Sequence, residues 1–216
     1  MAMSAVGKHL VPLTLLLCGA VHAQQEVTEY AINSAESRVY WLVYSAGVLS
    51  RLGHNHVISA PTLSGTIHLD PQLPQSRFSI EIPVAMLVVD DAALRAELGN
   101  GFTGEPSTND IEGTRRNMLS DRLLNAGQYP VLQISGTGPL GEADSQVMNV
   151  SVTVAGNTAE LMVPVTVRVD GDTISAEGVF QLTHEEIGLR PFSALMGTLK
   201  VAEQMDFSYY IVGRRL

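Results

Sequence analysis

Cysteine is almost absent from this sequence, and the single one, Cys18, falls in a segment that is expected to be removed. Residues Met1 to Ala23 read as a secretory signal peptide. Lys8 supplies the basic start, Leu10 to Ala20 form a short and mostly apolar run centred on Leu15-Leu16-Leu17, and Val21-His22-Ala23 gives the small-residue cleavage pattern. The run is too short for a membrane-spanning helix, which needs about 20 apolar residues. A lipoprotein reading of Cys18 meets Leu17, which stands where the lipoprotein peptidase needs a small residue. The expected division is therefore a signal peptide over 1–23 and one exported domain over 24–216, placed in the periplasm. That domain has no disulfide, no thiol nucleophile and no thiolate metal site, and has to hold together by burial alone.

Basic charge is also scarce. The chain carries 13 Lys and Arg against 22 Asp and Glu, and loss of Lys8 with the signal takes the net charge from −9 to −10. Such a surface repels phosphate backbones, so no nucleic-acid partner is expected. His54-Asn55-His56 spells the name of a nuclease motif, but the residues of that motif are dispersed in sequence and the match is one of letters. The chain lacks a G-x-S-x-G elbow, an H-E-x-x-H helix and a carboxylate pair placed for acid–base work, so no enzyme is expected. Internal repeats, low-complexity tracts and basic tails are missing as well. Large aromatics are few, one Trp and five Phe, which is little to fill a wide interior.

What the sequence does have is alternation of apolar and polar residues with period two. Val39, Trp41 and Val43 share one strand face. Phe78, Ile80, Ile82 and Val84 share another, opposed by Ser79, Glu81 and Pro83. Val150, Val152 and Val154 alternate with Ser151, Thr153 and Ala155, and Leu161, Val163, Val165, Val167 and Val169 alternate with Met162, Pro164, Thr166, Arg168 and Asp170. Met205, Phe207, Tyr209 and Ile211 close the series. One face buried and one wetted is the mark of antiparallel sheet. Gly156-Asn157 and Asp170-Gly171-Asp172 supply hairpin turns between consecutive strands. About eight such strands close most economically into a barrel, because closure removes the edges. A two-sheet sandwich would show similar alternation. The expected class is all-β, an antiparallel barrel of about eight strands.

Between Val84 and Val131 the alternation stops. Asp91 to Leu98 reads as helical, Gly99 to Gly113 as polar and Gly-rich. A second helix is expected over Glu112 to Ala126, with Met118, Leu119, Leu123 and Ala126 at helical spacing, Gly127 at C′ and Pro130 beyond. So long an insertion is usually functional or mobile, and it is expected to cap one end of the barrel. A helix that merely plugs the core fits the same pattern.

Eight strands enclose an interior that side chains can fill or that can hold one small ligand. Residues expected to face inward are Val39, Trp41, Val43, Ile80, Ile82, Val152, Val163, Val165, Ala176, Gly178, Phe207 and Tyr209. Ala176 and Gly178, in phase with Ile174, leave volume where larger side chains would project. A cavity with such a lining prefers an apolar guest.

Several ordered segments resemble the YceI-like family of periplasmic proteins, known as lipocalin-like polyisoprenoid-binding proteins. Tyr30-Ala31-Ile32-Asn33 with Ser37-Arg38-Val39 resembles the family's opening Y-x-I-D-x-x-x-S-x-V. Leu63-Ser64-Gly65-Thr66-Ile67-His68-Leu69-Asp70 is similar to its F-x-G-x-I-x-x-D strand, and Met118 to Pro130 to its helix-to-strand passage ending in Y-P. Gly188, Pro191-Phe192 and Val201 to Ile211 match its late segment and final strand. The resemblance runs from Tyr30 to Val212. It implies a barrel wrapped round an isoprenoid, or another long-chain amphiphilic lipid, with no catalytic centre and no required cofactor. This chain departs from the common pattern at Arg51-Leu52-Gly53-His54-Asn55-His56, a G-H-N-H variant, and has Asn117 where many members carry histidine.

That variant segment supplies the candidate polar site. In an extended stretch His54 and His56 face the same side, which is metal-ligand spacing for Zn or Cu, and His184 is a candidate third ligand. The alternative is that these histidines bond loop backbone at the barrel rim. His68, out of phase with Ile67 and Leu69, is expected on the wetted face. Arg51 and Arg190 flank the same segments and are candidate bidentate donors to a ligand headgroup, together with His54 and His56, against the alternative of ordinary surface arginines. Three functions follow. The first is a periplasmic lipid-binding protein. The second is a metal-dependent hydrolase or metal-binding protein using His54, His56 and His184. The third is an accessory module of a membrane redox system, with a quinone in the cavity. A homodimer stays open.

Overall fold

The computed structural model describes residues 27–71, 75–139 and 143–216. The signal-peptide expectation over 1–23 lies outside them.

The alternating segments all become strands. In chain order they are β1 (Thr28–Ile32), β2 (Arg38–Ala46), β3 (His56–Ser59), β4 (Ser64–Leu69), β5 (Arg77–Pro83), β6 (Val88–Val89), β7 (Val131–Thr137), β8 (Ala143–Val154), β9 (Asn157–Asp170), β10 (Thr173–Thr183), β11 (Ser193–Ala194) and β12 (Leu199–Arg215). Eight of them close a ring in the order β1–β4–β5–β7–β8–β9–β10–β12 and back to β1, every pair antiparallel. The barrel of eight strands is thus as expected. Closure depends on the length of β12. Its last residues, Gly213 to Arg215, pair with β1, while Lys200 to Tyr210 pair with β2. Beyond β2 the sheet extends through β3 to β6 as a flap at one end.

The hairpins show why the strands stop where they do. Between β8 and β9, Val154 pairs with Asn157, so the two-residue loop is Ala155-Gly156, one residue earlier than the sequence suggests. Both loop residues have positive φ, 47° and 79°, as a primed hairpin turn demands. Gly156 is fixed by packing as well, since a Cβ there would stand 2.6 Å from the Tyr129 ring.

The insertion holds two helices, α1 (Ala92–Leu98) and α2 (Thr108–Leu119). The second starts four residues before the expected Glu112 and ends seven before Ala126. Ser107 and Asp110 form a capping box that sets its start. At its end Ser120 leaves helical geometry, and its hydroxyl bonds the Asn117 carbonyl at 2.7 Å. Leu123, Leu124 and Ala126 then follow in tight turns, with Asn125 at φ 45°. Their helical spacing marks a shared inward direction, not a continuous helix. Inside the barrel the buried residues divide into a large cluster that includes Ile58, Ile82, Val84, Met118, Leu124 and Ile211, and a second round Tyr30, Ile67, Val167 and Ile174.

Candidate functional site

The inward faces do not meet. They enclose a cavity of about 430 Å³, within the range of sites that hold small molecules. Of the residues expected to face inward, Val39, Trp41, Val43, Ile80, Ile82, Val152, Val163, Val165, Ala176, Phe207 and Tyr209 lie on its wall. The lining follows β10 from Ile174 past its end to His184, ten steps of about 3.3 Å each, so the space is elongated. One wall is aromatic. Trp41 stacks on Phe207 with ring centroids 5.7 Å apart, and Phe207 stacks on Phe180 at 5.2 Å. The sheet register makes this ladder, because Trp41 pairs with Phe207 and Phe207 with Phe180 across adjacent strands.

Gly178 is the exception, and its reason is physical. The volume it leaves is taken by Tyr209, its cross-strand partner. A Cβ on Gly178 would lie 2.7 Å from the Tyr209 hydroxyl and 2.3 Å from the Pro164 carbonyl oxygen. The Tyr209 hydroxyl donates to that carbonyl at 2.6 Å. Burial pushes its pKa up to about 12. Gly178 therefore makes room for a hydrogen bond in the wall and not for a guest.

The cavity is polar at one end. Gly53, His54, His56, Thr114, Asn117, Phe192 and Lys200 line it there, with Leu123 and Leu124 from the turns after α2. The insertion thus caps this end, as expected. His56 opens β3 with its side chain 16% exposed, and its Nδ1 donates to Oδ2 of Asp90 at 2.6 Å. Asp90, just after β6, is held in left-handed backbone geometry at φ 56°, and its carboxylate is fully shielded from solvent. Its Oδ1 accepts from the Val57 amide at 3.0 Å and from Arg95 of α1 at 2.5 Å. Arg95 also donates to the carbonyls of Asn55 and Gly104, at 2.8 and 2.6 Å, and lies over the Phe102 ring. Burial pushes the Asp90 carboxyl up, but the bonds from His56, Val57 and Arg95 outweigh it and hold the group below the ordinary aspartate value. The other nitrogen of His56, Nε2, stands 3.5 Å from the Thr114 hydroxyl on α2.

The sequence found His54 and His56 but missed Asp90, Arg95 and Thr114. A signal existed for the first. Asp90-Asp91 precedes a helix that needs only one N-cap, and Asp91 is that cap, accepting from the Leu94 amide, which leaves Asp90 free for another task.

The expected metal set does not assemble. His54 and His56 have ring centroids 6.4 Å apart, and His56 is already committed to Asp90. His184 is buried, and its Nδ1 donates to the Glu203 carbonyl at 2.9 Å. All three line the cavity, yet among the described residues no three His, Asp or Glu side chains come close enough to hold a metal ion. Arg51 and Arg190 are exposed, and neither is on the cavity wall. Their sequence proximity to the two polar segments does not carry their guanidinium groups inward. His68 pairs with Glu29 across β1 and β4 at 3.0 Å, away from the cavity.

The sequence model of the YceI-like domain matches residues 30–212. BcnA of Burkholderia cenocepacia is similar in structure, with a TM-score of 0.59, 16% identity, and coverage of 84% of this chain and 98% of that one. A polyisoprenoid-binding domain from Saccharophagus degradans, implicated in plant cell wall breakdown, gives 0.59 at 10% identity, covering 88% and 100%. The YceI protein of Campylobacter jejuni gives 0.50 at 10% identity, covering 73% and 83%. No curated protein matches the chain in sequence.

Proposed function

We propose that this chain, which belongs to the YceI-like domain family, is an exported lipid-binding protein that holds an isoprenoid or similar long-chain amphiphile in its barrel. The observation that carries this is the cavity. About 430 Å³ of space, walled by valine, isoleucine, leucine and aromatic side chains, is left open inside the barrel. Enclosing a hydrocarbon chain there yields about 0.8 kcal/mol per buried methylene, so a long chain binds tightly with few polar contacts. The similarity to a domain described as polyisoprenoid-binding agrees with it. The protein acts by binding and not by catalysis. The periplasm is its proposed location, reached by cleavage after Ala23, and intact-mass measurement of the exported protein should find Gln24 at its start.

The single tryptophan gives the direct test. Trp41 lies on the cavity wall, so a chain that enters must touch it. Titration with a long-chain lipid brominated along its tail should quench Trp41 emission saturably, at one equivalent. Emission unchanged by the brominated lipid would remove the proposal.

A further inference from the structure

We infer, resting on the lipid-holding reading of the cavity, that the guest's polar end is an uncharged hydroxyl received between Nε2 of His56 and the hydroxyl of Thr114. The groups fixed at this end decide what it accepts. Asp90 is a buried carboxylate whose charge Arg95 balances through a 2.5 Å contact. Asp110, the other carboxylate whose field reaches His54 and His56, is exposed and already accepts from Ser107. In the tautomer that gives its Nδ1 hydrogen to Asp90, Nε2 carries the lone pair, and the ring lies on the cavity wall.

A phosphate or carboxylate brings only lone pairs to such an acceptor. Arg51 and Arg190 are not on the lining, and the one lysine or arginine that is among the described residues, Lys200, is exposed at the rim, where an ion pair is worth about 0–1 kcal/mol. A hydroxyl fits better because it donates and accepts at once. The Thr114 hydroxyl and Nε2 stand 3.5 Å apart, too far to satisfy each other well. A guest hydroxyl that donates to Nε2 and accepts from Thr114 completes both groups. Arg95 and Asp90 are positioning residues here, since they orient His56 and touch no guest.

The test uses the whole mature protein and three probes with one tail: geranylgeraniol, its methyl ether and its monophosphate. Dissociation constants are measured by calorimetry. The wild type should bind the alcohol about five-fold more tightly than the ether, the worth of one neutral hydrogen bond, and more tightly than the monophosphate. Thr114→Val and His56→Phe should each bring the alcohol-to-ether ratio close to one and leave ether affinity as it was. Should His56→Phe fail to fold, Thr114→Val and the wild-type ratio still decide. An ether as tight as the alcohol, or a monophosphate tighter than it, overturns the hydroxyl assignment and leaves the lipid-holding reading intact. Failure of all three probes to bind overturns both.

Discussion

At position 90 an aspartate combines a left-handed backbone, complete burial of its carboxylate, and three donors from two places in the chain: His56 and the Val57 amide at the start of β3, and Arg95 of α1. Removing one partner from such a group strands the other, which in buried pairs costs about 3–5 kcal/mol. Arg95→Met should lower unfolding free energy by about that amount in urea titrations at neutral pH. The pH dependence has a definite sign. The folded Asp90 carboxyl titrates below its ordinary value, which is about 3.9 in a solvated chain. Its stabilisation is therefore fully present above that pH and is lost as pH falls through the lower, folded value. Asp90→Asn should be less stable than wild type at pH 7, and the gap should close below about pH 4. Parallel pH profiles for the two proteins would contradict this. At the far wall, Tyr209→Phe should cost about 1 kcal/mol, because the Pro164 carbonyl loses its donor. His54 and His56 stood out in the sequence by their spacing, whereas Asp90 and Thr114 lie 34 and 58 residues from His56 and meet it only through the folded flap.

Strand identity was legible because alternation is a local property that the barrel uses directly. The inward set of β2, β5, β8, β9 and β12 could be read residue by residue. Gly178 could not, since whether a glycine opens space depends on its neighbour across the ladder, and here Tyr209 fills it. Nor could the extent of α2, where a side-chain box and a serine stop override apolar spacing. That helix carries Thr114, Asn117 and Met118 to the cavity, so its start matters beyond its own stability. Ser107→Ala removes the capping box and should cost about 1 kcal/mol. Amide hydrogen exchange over 108–119 should accelerate while exchange in β8 and β9 stays as it was. Uniform acceleration throughout the chain would show that α2 has no local opening of its own.

For the molecule as a whole, closure of eight strands leaves room that the side chains do not fill, and the proposed function is placed in that room. Ala176, on the wall between the aromatic ladder and the buried Ile174, is the position from which to close it. Ala176→Phe should project a ring into the cavity and abolish uptake of a long-chain lipid, with the strand content of the barrel unchanged by circular dichroism. Native mass spectrometry of the protein isolated from its own source cells addresses the claim most directly. The account predicts one long-chain lipid bound per chain in the wild type and none in Ala176→Phe; a wild-type protein that always carries its bare polypeptide mass, and that takes up no long-chain lipid when offered one, would contradict it.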